Sequence, residues 1–143
     1  MALEIIVDSL EKKPYWTKGI KRLRLNVGDY TTKSLHNVYH IERKSLQDLY
    51  GTLTKGKIRF LNEIHRARRA NIKMEIVVEG TKLAFMNKQW PNGHMRDCPS
   101  ETLERRLNDI ERMGCAVYWC SSRGAAKYRV HRMLKQKEKL YES

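Results

Sequence analysis

The chain has 143 residues, 41% apolar and 31% charged, a size and balance that fit one globular domain with a real core and exclude a disordered tail. Lysine and arginine number 29 against 16 acids, and the resulting net charge of +13 calls for an anionic partner, nucleic acid first. No apolar run approaches the roughly 18 residues of a membrane span, and MALEIIVDSLEKK does not read as a secretory signal, so a cytoplasmic location away from membranes is expected.

The first element is the β-branched run Glu4 to Asp8, read as a buried strand that ends on an acid. Arg22 to Val27 alternates polar and apolar residues with period two and is closed by Gly28, which predicts a second strand. After loop residues Thr31 to Asn37, Val38 to Glu42 predicts a third strand. Helical spacing begins at Ser45, with Leu46, Leu49 and Leu53 as its apolar stripe. A second helix, Lys57 to Ala70, is expected to bury Ile58, Leu61 and Ile64 and to present Arg59, Arg66 and Arg69 on the opposite face. Met74 to Glu79 predicts a strand ended by Gly80, and NKQWPNGHMRDCP, Asn87 to Pro99, predicts a long loop. Leu103, Leu107, Ile110 and Met113 mark a helix with Ser100 as N-cap and Gly114 as terminator. Ala116 to Trp119 is a further strand, and a last helix from Gly124 buries Ala126, Val130, Met133 and Leu134. Cys98, Cys115 and Cys120 contain no CxxC pair, which suits a reducing compartment. A zinc site from His94 and these cysteines is disfavoured, because Cys115 and Cys120 bracket a strand at an odd separation and point to opposite faces. The order of elements predicts an α/β sandwich with a mixed sheet.

Three acids fall where strands stop: Asp8, Asp29 and Glu42. Strand ends in open α/β sheets are where ligands sit, and carboxylates gathered there repel one another unless a hard cation such as Mg2+ lies between them. Glu42 and Lys44, two apart on a strand, leave the same face and Arg43 leaves the other. A carboxylate that holds Mg2+ beside an ammonium group suits water activation and charge stabilisation on a phosphate. On its own, Glu-x-Lys is a common solvated pattern.

The larger pattern is more specific. Gly28-Asp29, a step of thirteen residues from Asp29 to Glu42, then Glu42-Arg43-Lys44 and Asp48 resemble the GD…ERKxxxD signature of the XPF-type structure-selective endonucleases, a branch of the restriction-endonuclease-like superfamily. Ile6-Val7-Asp8-Ser9-Leu10-Glu11 is similar to that family's I-V-D-[TS]-R-E opening, Ser45 to Gly56 to its helix after the lysine, and Ile76 to Gly80 to its I-V-V-E-G strand, so the likeness spans about residues 4 to 135. The resemblance implies a restriction-endonuclease-like α/β/α sandwich, a central mixed sheet flanked by helices. It also implies a single nuclease domain over residues 1–143. Asp29 and Glu42 would ligate Mg2+ or Mn2+, with the Arg43 carbonyl as a further candidate ligand, and Lys44 would be the catalytic lysine. Asp8 and Glu11 would support the site or hold a second metal, and Asp48 would complete the cluster. Leu10 departs from the pattern by standing at the family's arginine, and the family's tandem helix-hairpin-helix module is not among these residues.

Each of these residues has a plainer reading. Ser45-x-x-Asp48 is close to a capping box. Asp8 can end a strand and pair with a basic neighbour, and Arg43 can form a buried ion pair instead of touching the scissile phosphate. For DNA contact the candidates are Arg59, Arg66 and Arg69 with Lys55 and Lys57, which otherwise form a solvated face. Trp90, His94 and Arg96 could grip an unpaired strand, while Trp90 could equally pack in the core. Together these readings predict a metal-dependent DNA endonuclease acting on branched or partly single-stranded DNA in recombination or repair, in a bacterial or phage-infected cell. A homodimer is compatible with the family's habit of pairing through this domain. The alternatives are a catalytically inactive DNA-binding module of the same fold and a junction-resolving or restriction-type nuclease.

Overall fold

Six strands form one sheet in the order β2-β1-β3-β4-β5-β6, described by a computed structural model for residues 2–91 and 97–142. In chain order the elements are β1 (Ile5–Asp8), β2 (Lys21–Leu23), β3 (Tyr30–Thr32), β4 (Tyr39–Ser45), α1 (Leu46–Leu53), α2 (Lys57–Arg69), β5 (Lys73–Glu79), α3 (Lys82–Met86), α4 (Ser100–Arg112), β6 (Val117–Cys120) and α5 (Arg123–Glu142). The sheet is mixed: β1 pairs parallel with β2, β3 runs antiparallel to both β1 and β4, and β4, β5 and β6 are mutually parallel.

Period two along the strands divides the core into two layers. Met74, Ile76 and Val78 of β5 face α1, α2, α3 and α4, where they pack with Leu49, Leu53, Phe60, Ile64, Phe85, Leu103 and Leu107. Val7, Tyr39, Ile41 and Val77 leave the other face and pack against Ala126, Val130, Met133 and Leu134 of α5. Cys115 belongs to the first layer and Cys120 to the second. No helix among the described residues is long and apolar enough to cross a membrane.

Several elements differ from expectation. β2 begins at Lys21 and stops at Leu23, so the expected strand Arg22 to Val27 is mostly loop. Leu25 and Val27 are nonetheless buried, at 1% and 2% exposure. Their backbone groups find side chains instead of a ladder: Asp8 Oδ1 accepts the Leu25 N–H at 2.8 Å and His40 Nδ1 meets the Val27 carbonyl at 2.7 Å. β3 lies where a loop was expected, because three residues are too few to show a period. The phase of α2 also differs: its buried residues are Phe60, Ile64 and Ala67, and Ile58 is 72% exposed. The helix carries two overlapping apolar stripes, and the one containing the aromatic ring buries more surface. α3, capped by Thr81 at the Ala84 N–H, was not expected. Pro99 occupies the N-cap position of α4, and the Ser100 hydroxyl donates to the Met86 carbonyl at 2.9 Å instead of capping the helix.

His40 fixes the loop before the site. Its Nδ1–H donates to Val27 O while Nε2 accepts from Asn37 N–H at 2.9 Å, so the partners define a neutral tautomer. Burial lowers its pKa below the ordinary value. The unfolded chain therefore takes up this proton first, so stability from this group is complete above the unfolded value of about 6.5 and declines as pH falls through it. Urea midpoints measured on either side of that value should drop towards acid in the parent and drop less in His40→Gln.

Candidate active site

Asp29 sits immediately before β3, in the gap where β1 and β4 diverge. Three hydrogen bonds hold it there: its N–H donates to Ile41 O at 2.8 Å, its carbonyl accepts from Asp8 N–H at 2.8 Å, and its Oδ2 accepts from Arg43 N–H at 2.7 Å. The preceding turn needs glycine. Gly28 has φ +74°, and a Cβ on it would come within 3.1 Å of His40 Cβ and 3.3 Å of Ile41 O.

On β4 the alternation works as the sequence predicts. Glu42 is buried on the α2 side, and Lys44 lies on the same side with its Nζ 3.3 Å from Glu42 Oε2 and 5.3 Å above the Phe60 ring. The Asp29 and Glu42 carboxyls are near enough for each to bear on the other's ionisation. Burial first, then the Glu42 and Glu11 charges, raises the Asp29 pKa well above the carboxylate range, against the pull of the Arg43 N–H. Glu42 is pushed up to about 7, by burial first and then by the charge of Glu63, with Lys44 opposing. Both carboxyls are held where the charged form is disfavoured, by burial and by neighbouring acids.

This donor set fits a hard divalent cation. The two carboxyls offer oxygen ligands, and Lys44 is the one cation in ion-pair reach of them among the described residues. Among those residues no three acids, histidines or cysteines converge as a complete metal cluster. A bound Mg2+ would therefore draw the rest of its shell from main-chain oxygen and water, as that ion commonly does.

The expected third metal ligand does not join them. Asp8 ends β1, but its Oδ1 accepts from Leu25 N–H at 2.8 Å and from Arg24 Nη1 at 2.9 Å, and its Oδ2 accepts from Leu10 N–H at 3.3 Å. These contacts tie Asp8 to the loop before Gly28. Asp48 is exposed and completes the capping box of α1, with its N–H on Ser45 Oγ at 3.1 Å and its Oδ2 facing the Ser45 N–H at 3.4 Å.

The Arg43 side chain turns to the α5 side. Its Nε and Nη2 form a two-pronged pair with Glu79 at 2.9 and 3.0 Å, and Nη1 lies 3.8 Å from Glu11. Tyr15 OH donates to Glu79 at 2.5 Å, and Arg123 Nη1 reaches the same carboxylate at 3.3 Å. Arg43 thus contributes its backbone N–H to Asp29, and its guanidinium to a structural ion pair. Glu11 is close enough to both Asp29 and Arg43 to link the two networks electrostatically.

Of the candidate DNA contacts, Lys55, Lys57, Arg59, Arg66 and Arg69 are all exposed, and Arg66 Nη2 lies 3.4 Å from Asn26 O beside the site. Trp90 is corrected to a packing residue: it is 6% exposed, with its ring 5.1 Å from Tyr50 and 6.0 Å from Phe85, and offers no face to a base. His94 and Arg96 lie outside the described residues. Glu63, Glu79, Tyr15 and Arg123 were not singled out from the sequence. Glu63 alone had a readable signal, since it shares a helical face with Arg59 and Arg66 at i−4 and i+3.

A sheet of this order, with paired carboxyls and a lysine where strands diverge, defines a restriction-endonuclease-like α/β/α sandwich. The ERCC4 domain family model matches residues 5–132, and the chain belongs to that family. Among solved structures it is similar to XPF from Aeropyrum pernix, with a TM-score of 0.69, 16% identity, 94% of this chain covered and 65% of that one. It is likewise similar to XPF from Aeropyrum pernix in complex with DNA, with a TM-score of 0.71, 16% identity, 96% of this chain covered and 66% of that one. The chain therefore spans just under two thirds of these relatives' length. Among curated proteins no relative matches.

Proposed function

We propose that this chain is a metal-dependent DNA endonuclease of the XPF type that hydrolyses phosphodiester bonds in branched or partly single-stranded DNA. The observation that carries this reading is that Asp29 Oδ2 is held 2.7 Å from the N–H of Arg43, the residue after Glu42, while Lys44 Nζ lies 3.3 Å from Glu42. Asp29 and Glu42 would hold Mg2+ or Mn2+, which in such sites acidifies water and polarises the phosphate. Lys44 orients the attacking water or steadies charge on the phosphate from the same face. The Arg43 N–H keeps Asp29 aimed at Glu42. Exposed Arg59 and Arg66 flank this face of α2 and give backbone contacts that read no sequence. The preference for branched substrates rests on the family alone, and the solved relative described as a complex with DNA supports DNA as the ligand.

The test is incubation of the purified chain with labelled flap, fork, four-way-junction and plain duplex DNA, with Mg2+ or EDTA. Cleavage of a branched substrate in Mg2+ and none in EDTA is expected. In the same series, Arg59→Ala with Arg66→Ala should weaken binding to all substrates alike and flatten the salt dependence by about two phosphate contacts. Binding without cutting by the parent would instead support an inactive DNA-binding module, the reading that Leu10 at the family's arginine position favours.

A further inference from the structure

The geometry points to Glu63 of α2 as a third carboxylate of the cation site, a positioning residue that stands outside the Asp29–Glu42 ligand pair and strengthens cation binding from there. This inference rests on the proposed cation site and adds a residue to it.

Glu63 is half-buried on a helix whose polar face is otherwise basic. Arg59 one turn before it and Arg66 one turn after it stand at the spacings where an acid and a base normally pair, for about 0.2–0.5 kcal/mol each. Among the described residues neither pairs with Glu63. Its Oε2 instead accepts the Gly28 N–H at 3.1 Å, so the carboxylate turns towards the residue that precedes Asp29. Its charge is also felt at Glu42 more strongly than any other single charge there. An acid that forgoes two adjacent arginines to stand on the turn before Asp29, within reach of the buried Glu42 carboxyl, worsens repulsion, and a divalent cation turns that repulsion into attraction. Mg2+ keeps several of its waters when it binds protein, and a carboxylate just beyond the direct ligands is placed to accept hydrogen bonds from them. Such outer partners typically contribute 10–100-fold to metal affinity.

A plainer role is that Glu63 merely clamps α2 to the Gly28 turn. Glu63→Gln separates the two, because the amide oxygen can still accept from Gly28 while the charge is gone. Mn2+ affinity measured calorimetrically on the DNA-free chain should fall about 10-fold in Glu63→Gln and comparably in Glu63→Ala. The Glu63→Gln melting temperature in EDTA should be unchanged or higher. Parent-like Mn2+ affinity in Glu63→Gln overturns the inference and leaves Glu63 as a clamp. Glu42→Gln is the control for the underlying site: if it binds Mn2+ as the parent does, or if the parent binds none, the cation reading itself fails and the inference fails with it.

Discussion

Asp29→Asn and Lys44→Ala should each slow DNA cleavage by at least about 100-fold, the scale seen when a charge stabiliser is removed from an active site, yet shift stability in opposite directions. Asn keeps an oxygen for the Arg43 N–H, now 2.7 Å from Asp29 Oδ2. What it removes is one of two neighbouring buried acids. Both folded-state carboxyl pKa values are raised, so the folded chain holds protons that the unfolded chain releases above about pH 4. Stability is therefore lost as pH rises between the unfolded and folded values, and Asp29→Asn should melt higher than the parent in EDTA above neutral pH. Lys44→Ala does the reverse. It strips Glu42 of the ammonium 3.3 Å away and leaves a buried carboxylate without its counter-charge, so it should melt lower. Cleavage assays paired with melting curves in EDTA check both signs. If Asp29→Asn melted lower than the parent, the two carboxyls would not be repelling each other. Adding Mg2+ should raise the parent's melting temperature and should not raise that of Asp29→Asn, since ligand binding to the folded state stabilises it by mass action.

Arg43→Ala should cost about 3 kcal/mol of folding stability, the usual penalty for breaking one side of a buried ion pair. The side chains of Arg43 and Glu79 are only 11% and 10% exposed, and the guanidinium grips both carboxylate oxygens. Arg123 and Tyr15 remain on Glu79 and limit the loss. Arg43→Lys should recover only part of it, because an ammonium cannot reproduce the planar two-pronged contact. Urea denaturation at neutral pH measures the effect. The backbone N–H that orients Asp29 survives both substitutions, so the folded fraction should retain cleavage within about 10-fold. If cleavage collapsed while stability stayed at the parent level, the guanidinium would be acting on DNA and the ion-pair role would be wrong.

Part of this architecture is local and could be read in one dimension. Period two on β4 separates Glu42 and Lys44 from Arg43 whatever the rest of the fold does, because successive side chains leave opposite faces of a strand. The apolar stripe of α5 and the Ser45–Asp48 capping box depend on spacing within one helix, and both stand where the sequence places them. Of the acids expected at strand ends only Asp8 was legible as one, since Asp29 precedes β3 and Glu42 lies inside β4. Which of them meet was not. Asp8 and Asp29 look alike as acids at predicted strand ends, and only the crossing of β1, β3 and β4 gives one to Glu42 and the other to Leu25 and Arg24. Tertiary packing alone also chose between the two apolar stripes of α2, buried Trp90 against Tyr50 and Phe85, and turned Glu63 away from its neighbouring arginines towards Gly28. Periodicity within one element is set by bond geometry, whereas the partners of a buried polar group are set by whichever distant segment reaches it first with a matching hydrogen bond.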